Sequence, residues 1–159
     1  MRPNTCLNPS GPTTLMTSTD CVVLKLRNTL DDLAAGQDSV LEFLGRRGIS
    51  ARTQFSVGLV FEEVVTNIIR HAYGDDFSVV ADDAIEVTLS VAEEGVELNF
   101  ADRGPPFNPL EVGDPGLPRT LGEAKVGGLG IMLVRKTARH LAYQRCDERN
   151  CLRVSIPLR

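Results

Sequence analysis

The chain has 159 residues, 42% of them hydrophobic and 24% charged, which suits one globular domain with a sizeable core. Its net charge of -4 argues against partners held by non-specific contact, whether nucleic acid or an anionic membrane. No run approaches the roughly eighteen apolar residues of a membrane span.

The N-terminus lacks the continuous apolar core of a signal peptide. Cys6, Cys21, Cys146 and Cys151 have no CxxC spacing and read as unpaired thiols of a cytoplasmic protein. Cys146 and Cys151 do flank a possible hairpin turn, where a cross-strand bridge would fit. Neither histidine lies near a cysteine pair, so no zinc-type centre is expected.

Residues 1–19, with Pro3, Pro9, Gly11 and Pro12 among Ser, Thr and Asn, read as a flexible tail ahead of a domain covering 20–159. Residues 21–27 read as a first strand at a sheet edge. From Asp31 or Asp32 to about Arg47, the apolar set Leu33, Val40, Leu41, Phe43 and Leu44 predicts a helix, with Gly48 to stop it. Ser50 can cap the next helix, which runs to about Tyr73 on Val57, Val60, Phe61, Val64 and Ile68. Glu63, Asn67 and His71 fall at i, i+4 and i+8 on one side of it.

Residues 74–83 read as a loop. Ile85, Val87, Leu89 and Val91 alternate with polar residues, Glu94-Gly95 turns the chain, and Val96, Leu98 and Phe100 repeat the pattern, which predicts a hairpin with one face on a core. Asp102-Arg103-Gly104-Pro105-Pro106-Phe107 follows directly. Residues 103–128 are rich in Gly and Pro without periodicity, as a lid would be. Gly127-Gly128-Leu129-Gly130 opens a helix from about Gly130 to Leu141. A closing hairpin, Tyr143–Cys146 and Cys151–Leu158, turns around Asp147-Glu148-Arg149-Asn150. Antiparallel strands with helices to cover one face imply an α+β two-layer sandwich.

Taken singly, the polar helix line, the Asp-x-Gly-Pro segment and the glycine loop have ordinary readings: a solvated face, a turn and a helix entry. Each also has a chemical one. An Asp at a strand end can accept from a ligand amino group. Gly104 allows close approach of backbone or ligand. A glycine loop at a helix N-terminus presents free N–H groups to phosphate. The loop is neither a Walker A nor a Rossmann fingerprint.

Together, Glu63-x-x-x-Asn67-x-x-x-His71-Ala72-Tyr73, Asp102-x-Gly104-x-Pro106-Phe107 and Gly127-Gly128-Leu129-Gly130-Ile131 resemble the N, G1 and G2 boxes of the GHKL ATPases. The His-Ala-Tyr and Gly-Gly-Leu-Gly-Ile forms are similar to those of the bacterial anti-sigma-factor serine/threonine kinases. The resemblance covers about residues 20–158. It implies the Bergerat-type sandwich, a mixed and mostly antiparallel sheet under a layer of helices.

By the same resemblance, Asn67 would hold Mg²⁺ and Glu63 would be the general base. Asp102 would accept from the adenine amino group, with Gly104 letting the base sit close and Phe107 packing its far side. Gly127, Gly128, Leu129 and Gly130 would meet the phosphates of ATP. Arg70, and Arg119 or Lys125 of a lid spanning 108–126, would be candidate phosphate contacts. No phosphoacceptor-histidine helix and no second domain is read, so the expectation is a small regulatory kinase. It would phosphorylate a STAS-type anti-anti-sigma protein, sequester a sigma factor, and form a homodimer. The alternatives are a catalytically silent ATP-binding module acting by sequestration, and a stand-alone ATP hydrolase.

Overall fold

A computed structural model describes residues 14–18, 21–74, 80–111 and 128–159. In chain order the elements are β1 (Thr14–Ser18), β2 (Cys21–Leu26), α1 (Leu30–Arg46), α2 (Ala51–Tyr73), β3 (Ile85–Ala92), β4 (Gly95–Asp102), α3 (Gly128–Thr137), β5 (His140–Cys146) and β6 (Arg149–Pro157). The six strands form one sheet in the order β1-β2-β3-β4-β6-β5, and every ladder between them is antiparallel. The expected parallel component is therefore absent among the described residues.

Alternation builds the core. Val22, Leu24 and Leu26 of β2 are buried, as are Ile85, Val87 and Leu89 of β3, Val96, Leu98 and Phe100 of β4, and Leu152, Val154 and Ile156 of β6. Their neighbours along each strand are only partly covered or exposed. Against this face lie the helices, with α2 between α1 and α3. Phe61 of α2 meets Phe100 of β4 with ring centroids 6.3 Å apart, and both are buried. Burying one such side chain contributes roughly 1.5–3 kcal/mol.

The helix ends follow local chemistry. Thr29 accepts from the Asp32 N–H at the start of α1, and Ser50 accepts from the Thr53 N–H at the start of α2. Gly48 has φ of 67° just past α1, which places a glycine where the helix must turn away. Buried Asp32 takes an ion pair from Arg27 at 2.9 Å and accepts from the Arg27 backbone N–H at 2.8 Å. This joins the end of β2 to the first turn of α1.

Four boundaries differ from expectation. Residues 14–18, assigned to the tail by the prolines around them, pair along β2, so β2 is an inner strand and not an edge. The turn before β4 is at Glu93–Glu94, and Gly95 already belongs to the strand. Helix α3 ends at Thr137 and not at Leu141, because the Arg139 N–H donates to Ser155 O and starts the sheet pairing in which Leu141 opposes Val154. The last hairpin turns at Asp147 and Glu148, both at positive φ, so Arg149 and Asn150 are strand residues.

Candidate functional site

An open cleft lies between the C-terminal half of α2, the segment following β4, and the β5–β6 hairpin. Asn67, His71, Asp102, Phe107, Tyr143 and Asn150 bring polar or aromatic groups to it, over an apolar floor that includes Ile68 and Phe100.

Asp102 is the last residue of β4 and is 4% exposed. Its Oδ1 accepts from the Gly104 N–H at 2.8 Å and from Asn150 Nδ2 at 2.9 Å. Oδ2 takes part in neither bond. Burial raises its pKa above the usual carboxylate value, while these two bonds and the charges of Arg145 and Arg149 pull it back. The arrangement is a buried acceptor with one oxygen committed and one available to a donor in the cleft.

Asn150 stands directly opposite Asp102 in the β4–β6 ladder. Sequence reading assigned it to the turn, where Asn is common. The side chain instead ties four segments together, and Tyr143 and Arg145 of β5 join it. None of these three was expected at the site. The register Asp102↔Asn150 would have exposed the pair had the turn been placed two residues earlier.

Glu63 and Asn67 lie one turn apart on α2, both partly buried. The Glu63 carboxylate packs against Gly130 of α3: a Cβ there would overlap Glu63 Oε2 and approach its Cδ to 3.1 Å. The expected glycine-rich helix entry is thus present at Gly128, Leu129 and Gly130, and its near neighbour at Gly130 is the acid of α2. Desolvation raises the Glu63 pKa, neighbouring Glu62 raises it further, and Arg70 opposes both. Arg70 itself is exposed on α2.

Gly104 is needed for contact with α2. A Cβ on it would overlap that of Ala72 and come within 3.0 Å of the Ala72 Cα. The close approach expected for a ligand is made here by the helix. Phe107 stacks on His71, ring centroids 4.1 Å apart and planes 13° from parallel. Its expected role at the wall of the cleft therefore begins with a protein partner. Arg135 of α3 donates to Leu110 O at 2.6 Å and fixes the far end of this segment. Gly127, Arg119, Lys125 and most of the expected lid lie outside the described residues.

Cys21, Cys146 and Cys151 are free thiols, so the bridge considered for the last two is not formed. Among the described residues no helix is long and apolar enough to cross a membrane.

Comparison with known proteins agrees with this architecture. The family described as Histidine kinase-like ATPase domain matches residues 26–156. The serine/threonine-protein kinase BtrW of Bordetella bronchiseptica is 36% identical over 103 residues, which cover 65% of this chain and 70% of that protein. The crystal structure of the RsbU and RsbW domains of Rv1364c from Mycobacterium tuberculosis superposes with a TM-score of 0.62 at 14% identity, over 90% of this chain. The match covers 34% of that longer chain, and at this identity it speaks for the fold alone. The chain belongs to the histidine kinase-like ATPase domain family of the GHKL superfamily, and within it is similar to a serine/threonine-protein kinase.

Proposed function

We propose that the protein is an ATP-dependent serine/threonine kinase of the partner-switching kind. It phosphorylates a Ser or Thr of a STAS-type anti-anti-sigma protein and sequesters a sigma factor, with nucleotide state deciding the partner by differential affinity. The supporting observation is the pairing of Glu63 and Asn67 on α2, with the Glu63 carboxylate set against the N-terminal turn of α3.

The donor set fits Mg-ATP. Asp102 offers a buried acceptor for an amino-bearing base, and the first turn of α3 offers the N–H groups of a helix start, the kind that receive phosphate. Among the described residues no group of three or more His, Cys, Asp or Glu gathers to hold a metal. An ion at Asn67 would therefore draw its other ligands from phosphate and water, the usual environment of Mg²⁺. Bound there, Mg²⁺ would neutralise charge on the transferring group.

The residues of the chain then divide the work. Glu63 accepts the proton of the attacking Ser or Thr hydroxyl. That oxygen forms the new bond to the γ-phosphorus as the bond to the ADP oxygen breaks, and ADP leaves with the electron pair. A base with a raised pKa is better matched to this task near neutrality than an ordinary carboxylate. The missing side chain at Gly130 leaves the space that the carboxylate occupies beside the helix start.

The test is transfer of labelled phosphate from Mg-ATP to purified STAS-type proteins of the same genome, with the modified residue mapped. Label on a Ser or Thr of one of them is the expected result, and no label on any defeats the kinase reading. Association as a homodimer is a further expectation, checked by sedimentation.

A further inference from the structure

We propose that Asn150 is the positioning residue that gives this site its choice of base, by presenting Asp102 to the cleft as a pure acceptor selective for a 6-amino purine over a 6-oxo purine. The inference rests on the nucleotide-binding reading above and extends it to a residue outside the three sequence boxes.

Asn150 is 7% exposed, and both ends of its amide are engaged. Nδ2 donates to Asp102 Oδ1 at 2.9 Å and to Pro105 O at 3.0 Å. Oδ1 accepts from the Phe107 N–H at 3.2 Å, from Tyr143 Oη at 2.8 Å and from Arg145 Nη1 at 2.9 Å. A guanidinium and a backbone N–H can only donate, so the oxygen must face them and the amide cannot flip. Its nitrogen is thereby directed at Asp102. Arg145 Nη1 also donates to Gly104 O at 2.9 Å, which holds the loop that supplies the second donor to Asp102.

The consequence falls on the other carboxylate oxygen. With Oδ1 committed to Asn150 and Gly104, Asp102 is held in one rotation and Oδ2 remains for a ligand. A 6-amino group donates to such an oxygen. A 6-oxo group points lone pairs at this carboxylate, which is itself buried, and a buried polar group left unpaired discriminates strongly. Without Asn150 the carboxyl can rotate or take a proton, and a protonated Asp102 can donate to a 6-oxo base.

The experiment is titration of the full chain with Mg-ATP and with Mg-ITP, which differ at the 6-position of the purine. It is run on wild type, Asn150→Ala and Asn150→Asp. The second variant keeps side-chain size and the acceptor for Arg145, replaces the donor to Asp102 and Pro105 O by a second carboxyl oxygen, and so serves if the first fails to fold. Wild type should prefer ATP. Both variants should reduce the ATP:ITP affinity ratio by about tenfold or more, mainly through weaker ATP binding. A ratio that stays constant while both affinities drop equally would make Asn150 a merely structural residue and overturn the inference alone. Wild type binding neither nucleotide would overturn the inference together with the reading it rests on.

Discussion

The carboxylate of Glu63 and the backbone of Gly130 occupy adjoining space, one on α2 and the other in the first turn of α3, with no room for a side chain between them. This contact sets an acid against a helix N-terminus, where negative charge is favoured. It also explains the glycine without appeal to phosphate alone.

Gly130→Ala tests that contact. The clash is with the flexible end of Glu63, which can swing aside, and Ala gains about 0.5–1 kcal/mol over Gly in a helix. Thermal stability should therefore hold or rise slightly. Phosphoryl transfer should fall by about tenfold or more, since the displaced carboxylate loses its position. A destabilised variant with full activity would contradict this.

Gly104→Ala should behave in the opposite way. Its clash is with the Cα and Cβ of Ala72, on a helix that cannot move freely, so the expected loss is about 1–3 kcal/mol in denaturant unfolding. Adding Ala72→Gly should recover part of it, as a coupled pair does. Additive losses would rule out the contact.

Asp102 carries the pH dependence of the cleft. Its folded-state pKa is raised above the ordinary 3.8, so the native state binds the proton more tightly than the unfolded chain. Stability contributed by the protonated form is full below 3.8 and is lost as pH rises through the raised value. Asp102→Asn keeps an oxygen for Gly104 and Asn150 and removes the buried charge. It should be at least as stable as wild type near neutral pH, with the difference vanishing as pH falls toward 3.8, while ATP binding is lost. Tm against pH, with a nucleotide titration alongside, checks both halves.

Asn67→Ala should blunt the response to ligand. Nucleotide that binds only the folded state stabilises wild type by about 2.7 kcal/mol at a hundred times Kd. The Tm rise with Mg-ATP should shrink in the variant, which has lost the metal's protein oxygen. Equal rises in both proteins would remove Asn67 from the metal site.

Much of this was legible in the sequence wherever periodicity governed. The 3.6-residue spacing of Val57, Phe61, Val64 and Ile68 gave α2 and carried Glu63 and Asn67 with it. The alternation through Ile85 and Val96 gave β3 and β4 and put Asp102 at a strand end. What escaped was set by pairing between distant segments. Thr14–Ser18 is a strand because β2 offers an edge, not because its composition asks for one. Leu141 continues a helical pattern yet joins β5, since Ser155 captures the chain at Arg139. Asn150 looks like a turn residue until the β4–β6 register sets it opposite Asp102.

The central claim is tested most directly by phosphoryl transfer to a STAS-type protein, comparing wild type with Glu63→Gln and measuring Mg-ATP affinity of both. A positioned general base contributes about a hundredfold or more. The account predicts transfer by wild type, a loss of at least that size in Glu63→Gln, and little change in Mg-ATP affinity. Transfer undiminished in Glu63→Gln would contradict it.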